Sequence, residues 1–295
     1  MLEKNYFKCS IDIPVRRRGK FLTEILAPLM TGYDKQRLIT SWFFIPGPKG
    51  NKKDYENIIV YAKVTGRLSV VNAKHTCGAA LSIRCAKVGG KLRQEYPGNY
   101  PGRSYLESRY GGRRGVKIFT AFAVHNTRLV IQLLKILEKR PAVISRHTLG
   151  LILLFYFMDT LRIAPKKRKK WLGKFLKYYS HLKDGTGKLW KRINEISQKY
   201  STDNDVTGTV RLLNKRKYRA LHPNAPVILL NRYRKIFCKY GRALQANRNI
   251  FARVDPLELA IFHSYIHIHF LCLGISNLEE IYCETLAFSG MKNNS

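Results

Sequence analysis

A chain of 295 residues with 54 Lys+Arg against 19 Asp+Glu has a formal charge of +35, well beyond what solubility requires, and so calls for a polyanionic partner. Its 45% hydrophobic and 12% aromatic content excludes a disordered basic tail and leaves enough apolar residues for a sizeable core. Six scattered cysteines without a CxxC pair exclude a secreted disulfide framework.

No secretory signal is expected at the start of the chain, because Glu3, Lys4 and Asp12 break any apolar run. Phe7, Cys9, Ile11 and Ile13 alternate with Lys8, Ser10 and Asp12, which predicts a half-buried strand. Arg16, Arg17 and Arg18 follow as a basic turn. Residues 21–30 have helical spacing, with Pro28 expected to kink or shorten the helix. Strands are predicted over 38–45, 58–64, 79–85 and 116–123, and a turn between the first two carries Lys52 and Lys53. Residues 89–115 hold seven glycines and interleave tyrosines with Arg103, Arg109, Arg113 and Arg114. A loop of about 27 residues inside a domain implies a functional extension. Its glycine spacing fails the dinucleotide fingerprint. Gly185-Thr186-Gly187-Lys188 lacks the upstream glycine of a phosphate loop, so no cofactor is assigned.

From residue 126 the pattern turns helical. Leu129, Val130, Leu133, Leu134 and Leu137 share one face, and Ser145 can cap a second helix through the apolar run 149–158. That run is too short for a membrane span, which needs about 20 residues. Two basic helices are predicted over 170–182 and 188–200, with a turn at Asp184-Gly185. Residues 254–291 contain five acids and no Lys or Arg. Asp255-Pro256 reads as a helix start, Gly274 as a helix end and Ser276-x-x-Glu279 as a capping box. The chain is therefore expected to be α+β. A mixed sheet-and-helix unit spans 1–125, a strongly basic and mainly helical region 126–253, and a neutral-to-acidic helical hairpin 254–295.

The candidate binding residues lie in clusters. Lys166, Lys167, Arg168, Lys169 and Lys170 precede Lys174 and Lys177 by one and two turns; cations at a helix N-terminus oppose the macrodipole, a cost that a bound anion relieves. Lys215, Arg216, Lys217 and Arg219, with Arg211, lead on to Arg232, Arg234 and Lys235. Tyrosines among these cations suit base stacking. Together with Arg16 to Arg18 and the loop arginines, they point to an RNA-binding structural component of a large ribonucleoprotein, of ribosomal or organellar-ribosomal type, with RNA preferred over DNA. The hairpin is expected to pack on the body of the chain or on a protein neighbour through 254–291, no membrane is expected, and the location is expected to be intracellular without an assigned compartment.

The alternative is a nucleic-acid-processing enzyme, a nuclease or maturase. Tyr265-Ile266-His267-Ile268-His269-Phe270 resembles the His-hydrophobic-His motif of metal-dependent nicking endonucleases, and that resemblance implies Tyr282 as the attacking hydroxyl. Leu26-Ala27-Pro28-Leu29-Met30 resembles the helix core of the LAGLIDADG homing endonucleases and maturases. The latter implies Asp34 and Asp159 as metal-binding carboxylates, although Pro28 stands where the family has a packing glycine. Neither pattern supplies a convergent set of acids or imidazoles in the basic region, so no catalytic residue and no metal ligand is assigned.

Overall fold

The computed structural model describes residues 5–47, 54–65, 69–93, 107, 109–110, 112–139, 146–160, 163–183, 185–215, 217, 227–246 and 255–291. The chain divides into two compact units, one of residues 1–108 and 119–140, the other of 109–118 and 141–295. The fold is α+β, a small antiparallel sheet with a majority of helix. No helix among the described residues is long and apolar enough to cross a membrane.

The first unit is built on strands β1 (Tyr6–Pro14), β2 (Ile39–Pro46), β3 (Tyr55–Val64) and β4 (Lys91–Arg93), in the order β2-β3-β1-β4. β1 pairs with β3 along its whole length, from Tyr6 opposite Lys63 to Pro14 opposite Tyr55. Phe7, Cys9, Ile11 and Ile13 share one face by the two-residue period, and all four are buried. Along Trp42–Ile45 and Ile58–Val60, however, every residue is buried, so the middle of the sheet is covered on both faces. The polar group this encloses is satisfied: the Asn57 amide donates to Ser10 Oγ at 2.8 Å and to Asp12 Oδ1 at 3.0 Å.

After β1 the chain makes a 3₁₀ turn (Val15–Arg17), a short α-turn (Arg18–Lys20) and a π-turn (Phe21–Leu26), and then runs into α1 (Ala27–Lys35). Pro28 does not end this helix. Its missing N–H falls just after the widened π-turn, which loosens the ladder where the proline ring would otherwise clash.

Two expected strands are helices. α2 (Val70–Ala86) includes 79–85, and α3 (Gly112–Lys139) includes 116–123. Short β-branched and aromatic runs imitate strands locally, but the longer pattern decides. Ala73, Cys77, Leu81 and Cys85 recur every four residues and are buried, as are Phe119, Phe122, Ala123 and Val130 in α3. Ser69 caps α2 by accepting from the Asn72 N–H at 3.1 Å. β4 and the start of α3 occupy the two ends of the predicted 89–115 loop, whose middle lies outside the described residues.

The second unit is helical. α4 (Arg146–Thr160) is its centre: Leu149 and every residue from Leu151 to Met158 are buried, so the helix is enclosed on all sides. Around it stand α5 (Pro165–Lys183), α6 (Lys188–Ser201), α7 (Asn204–Asn214), α8 (Val227–Gln245), α9 (Asp255–Leu273) and α10 (Asn277–Gly290). α7 went unread in the sequence, although Asp203 caps it by accepting from the N–H groups of Asp205 and Val206. The predicted capping box is present on α10: Ser276 Oγ accepts from Glu279 N–H, and Glu279 Oε2 accepts from Ser276 N–H at 2.7 Å.

α10 packs against α4, α5, α6 and α7. Of the two expectations for this hairpin, packing on the body or on a protein neighbour, the first describes α10, which is taken up inside the unit. Two of its three acids lie there as well, with Glu280 Oε2 2.6 Å from His267 Nδ1 and Glu284 buried, while Glu279 is partly exposed.

Arg168 is fully enclosed. Its guanidinium pairs with Asp159 at the end of α4 and donates to Ile163 O at 3.1 Å and to Asn214 Oδ1 at 3.1 Å on α7. Asp159→Ala leaves this charge buried among neutral acceptors and is expected to destabilise the chain by about 3–5 kcal/mol, read as a lower urea midpoint. Asp159→Asn should recover part of the loss.

Burial and the neighbouring Glu280 carboxylate raise the Glu284 pKa well above 4.5, so the folded chain holds this proton more tightly than the unfolded chain. The stability this contributes is complete below 4.5 and is lost as pH rises. Glu284→Gln should therefore melt higher than the parent at about pH 7 and match it in acid. Burial lowers His269 to about 3, so its imidazole withdraws stability as pH falls below 6.5. A thermal melt series across pH should show both flanks, the acid flank persisting in Glu284→Gln.

Candidate functional site: a cationic groove

α5 has two faces fixed by one phase. Arg168, Leu172, Phe175, Leu176 and Tyr179 recur at helical spacing and are all buried. Lys166, Lys170, Lys174 and Lys177 then fall on the opposite side and are exposed. They form one wall of a groove of about 920 Å³. Arg211, Asn214 and Lys215, from the end of α7, stand in the lining with Trp190 of α6. Phe288, Gly290 and Met291 at the end of α10, together with Val210, add apolar surface.

Among the described residues, seven cations line this groove and no Asp or Glu does. Like charges four residues apart on a helix repel by about 0.2–0.5 kcal/mol per pair, and among the described lining residues no acid offsets the repulsion. Lys169 sits deepest among the charges: burial lowers its pKa, and its Nζ lies 5.4 Å from the centroid of the Phe288 ring. Glycine is required at two points of the wall. A Cβ on Gly173 would come 2.9 Å from Phe288, and one on Gly290 would come 2.7 Å from Val210. Chemically, the arrangement can hold an anion along the lysine row and an apolar group against the aromatic side.

The groove brings together Lys166, Lys169, Lys170 and Lys215 of the predicted residues, with Lys174, Lys177 and Arg211 beside them. Others lie elsewhere. Arg18 is buried with Nε 2.8 Å from Glu56, and Arg168 is turned inward, so neither faces a ligand. Arg16 and Arg17 are exposed on the first unit; Lys167, Arg113, Arg114, Lys217, Arg232, Arg234 and Lys235 are exposed on the second. Arg109 Nε donates to Ser264 Oγ at 3.1 Å. Lys52, Lys53, Arg103, Arg216 and Arg219 lie outside the described residues. Trp190, Asn214, Phe288 and Met291 were missed, since nothing in their local sequence separates a groove-lining residue from a core residue.

The nuclease alternatives fail on geometry. His267 and His269 stand two residues apart on helix α9 and not on a strand, so their side chains diverge; His267 meets Glu280 while His269 packs edge-on to Phe237 at 5.5 Å. Asp34 is exposed and Asp159 is committed to Arg168. Among the described residues, no three His, Cys, Asp or Glu side chains gather where they could hold a metal ion.

The family described as "Lantibiotic biosynthesis dehydratase C-term" matches residues 9–289. Among solved structures, the tRNA-dependent lantibiotic dehydratase MibB from Microbispora sp. 107891 is similar at 15% identity and a TM-score of 0.60, over 97% of this chain and 28% of MibB. TsrL is similar at 13% identity and a TM-score of 0.59, over 97% of this chain and 93% of its own. TbtD, the pyridine synthase from thiomuracin biosynthesis, is similar at 14% identity and a TM-score of 0.58, over 97% of both chains. At these identities the likeness is one of fold. The chain thus spans 28% of the length of MibB and nearly all of the other two. No curated protein matches the sequence.

These findings correct the functional expectation. A match across almost the entire fold to a biosynthetic family replaces the ribosomal or ribonucleoprotein component, and RNA is not supported as the main partner. The error has a physical source: net charge reports an excess of cations and does not identify what meets them. The chain belongs to the lantibiotic biosynthesis dehydratase C-terminal family.

Proposed function

We propose that this chain is the substrate-handling module of a peptide-modifying biosynthetic enzyme of the lantibiotic dehydratase kind. The family match over 9–289 carries this reading, because it takes in the sheet from Cys9 onward, the helices of the second unit and every groove-lining residue except Gly290 and Met291. Structures as different in size as MibB and TbtD share the fold. That supports a module able to work within a longer enzyme or by itself.

Loss of water from a Ser or Thr residue breaks a Cα–H bond and a Cβ–O bond and forms a Cα=Cβ double bond. Negative charge develops beside the peptide carbonyl as the proton leaves, and fixed cations in a partly shielded site stabilise such charge. The lysine row and Lys169 offer that kind of field for an anionic part of the substrate.

Deleting the coding sequence in its source organism tests the proposal. The expected result is a peptide product replaced by a precursor heavier by the mass of one water for each missing dehydration, restored by complementation. An unchanged peptide profile, with altered sedimentation of ribosomal particles, would overturn it.

A further inference from the structure

We propose that the groove between α5, α7 and the end of α10 is a docking site for an extended acidic peptide segment with carboxylates at alternate positions and one apolar anchor residue. The proposal rests on the peptide-substrate reading above and adds the pattern that the groove would recognise.

The pattern follows from two spacings. Lys166, Lys170 and Lys174 follow one another at four-residue intervals on one face of α5. Four residues of helix advance about 6 Å. Two residues of an extended chain advance about 6.6–6.8 Å. Carboxylates on every second residue of an extended peptide can therefore meet successive lysines, whereas a block of adjacent carboxylates sends half of them to the far side. Arg211 and Lys215, four residues apart at the end of α7, add cations from a second element.

The apolar side gives the second element of the pattern. Gly173 interrupts the cationic wall where Phe288 approaches it, and Trp190 and Met291 also stand in the lining. A purely polar polyanion would leave these groups unmatched. A peptide with one Phe or Leu among its acids covers them and brings Lys169 the counter-charge that its partial burial calls for.

The test is fluorescence anisotropy on the full chain. The probe is a dye-labelled synthetic peptide with Glu at alternate positions around a central Phe, set against an isomer with the same residues in an acidic block. The alternating peptide should bind more tightly, and the double substitution Lys170→Glu/Lys174→Glu should weaken it about tenfold or more. Both lysines are exposed, and reversing them relieves repulsion, so the fold should survive, checked by circular dichroism. Trp190→Ala should cost affinity for the Phe peptide and little for a version with Ala in place of Phe. Equal binding by the parent and the charge-reversed chain would overturn the proposal, as would a preference for an oligouridylate or an anionic phosphatidylserine vesicle of matched charge. Selective peptide binding together with an unchanged product profile on gene deletion would sink the enzymatic reading and leave the docking site standing. The converse result would sink the docking site alone.

Discussion

An arginine shut away from water sets the geometry of the helical unit. Arg168 meets Asp159 on α4, the Ile163 carbonyl and Asn214 on α7, so one cation ties three segments together. Such a charge stays buried only while its partners hold their places, because losing one leaves a desolvated guanidinium. The constraint also fixes the rotation of α5. With Arg168 inward, Leu172, Phe175 and Leu176 must follow it into the core, and the lysines between them are carried to the groove side.

Charge is divided in this unit by burial more than by number. Two acids of α10, Glu280 and Glu284, lie under the helices that surround it, where Glu280 meets His267 and burial raises the Glu284 pKa. They cannot reach the lysine row to neutralise it. The groove is consequently left with cations of one sign beside an apolar surface, a pairing that favours a ligand with both properties. This separation is a consequence of packing: the same acids placed on the exterior would have closed the site electrostatically.

A family of biosynthetic enzymes and a strongly basic chain are compatible once charge is read as chemistry. Lysine ammonium groups receive carboxylates and phosphates alike, and the bidentate arginine geometry that favours phosphate is sparse here: among the described residues, Arg211 is the single arginine lining the groove. Arg168, which the sequence offered as a phosphate contact, serves structure.

The sequence by itself determined β1, β2 and β3, most helices of the C-terminal half and the caps at Ser276 and Gly274, because these depend on local periodicity and on backbone groups a few residues away. It also marked the basic run at the start of α5. It misread α2 and the first half of α3, whose short apolar stretches look like strands until the four-residue recurrence of Ala73, Cys77, Leu81 and Cys85 is followed to the end. Only the tertiary structure decided which cations face outward. Arg18 and Arg168 are indistinguishable from their neighbours in sequence, and it is Glu56 and Asp159, brought up from distant positions, that draw them in. The groove is likewise a product of long-range packing, since Lys170, Trp190, Arg211 and Phe288 come from four helices and share no local pattern.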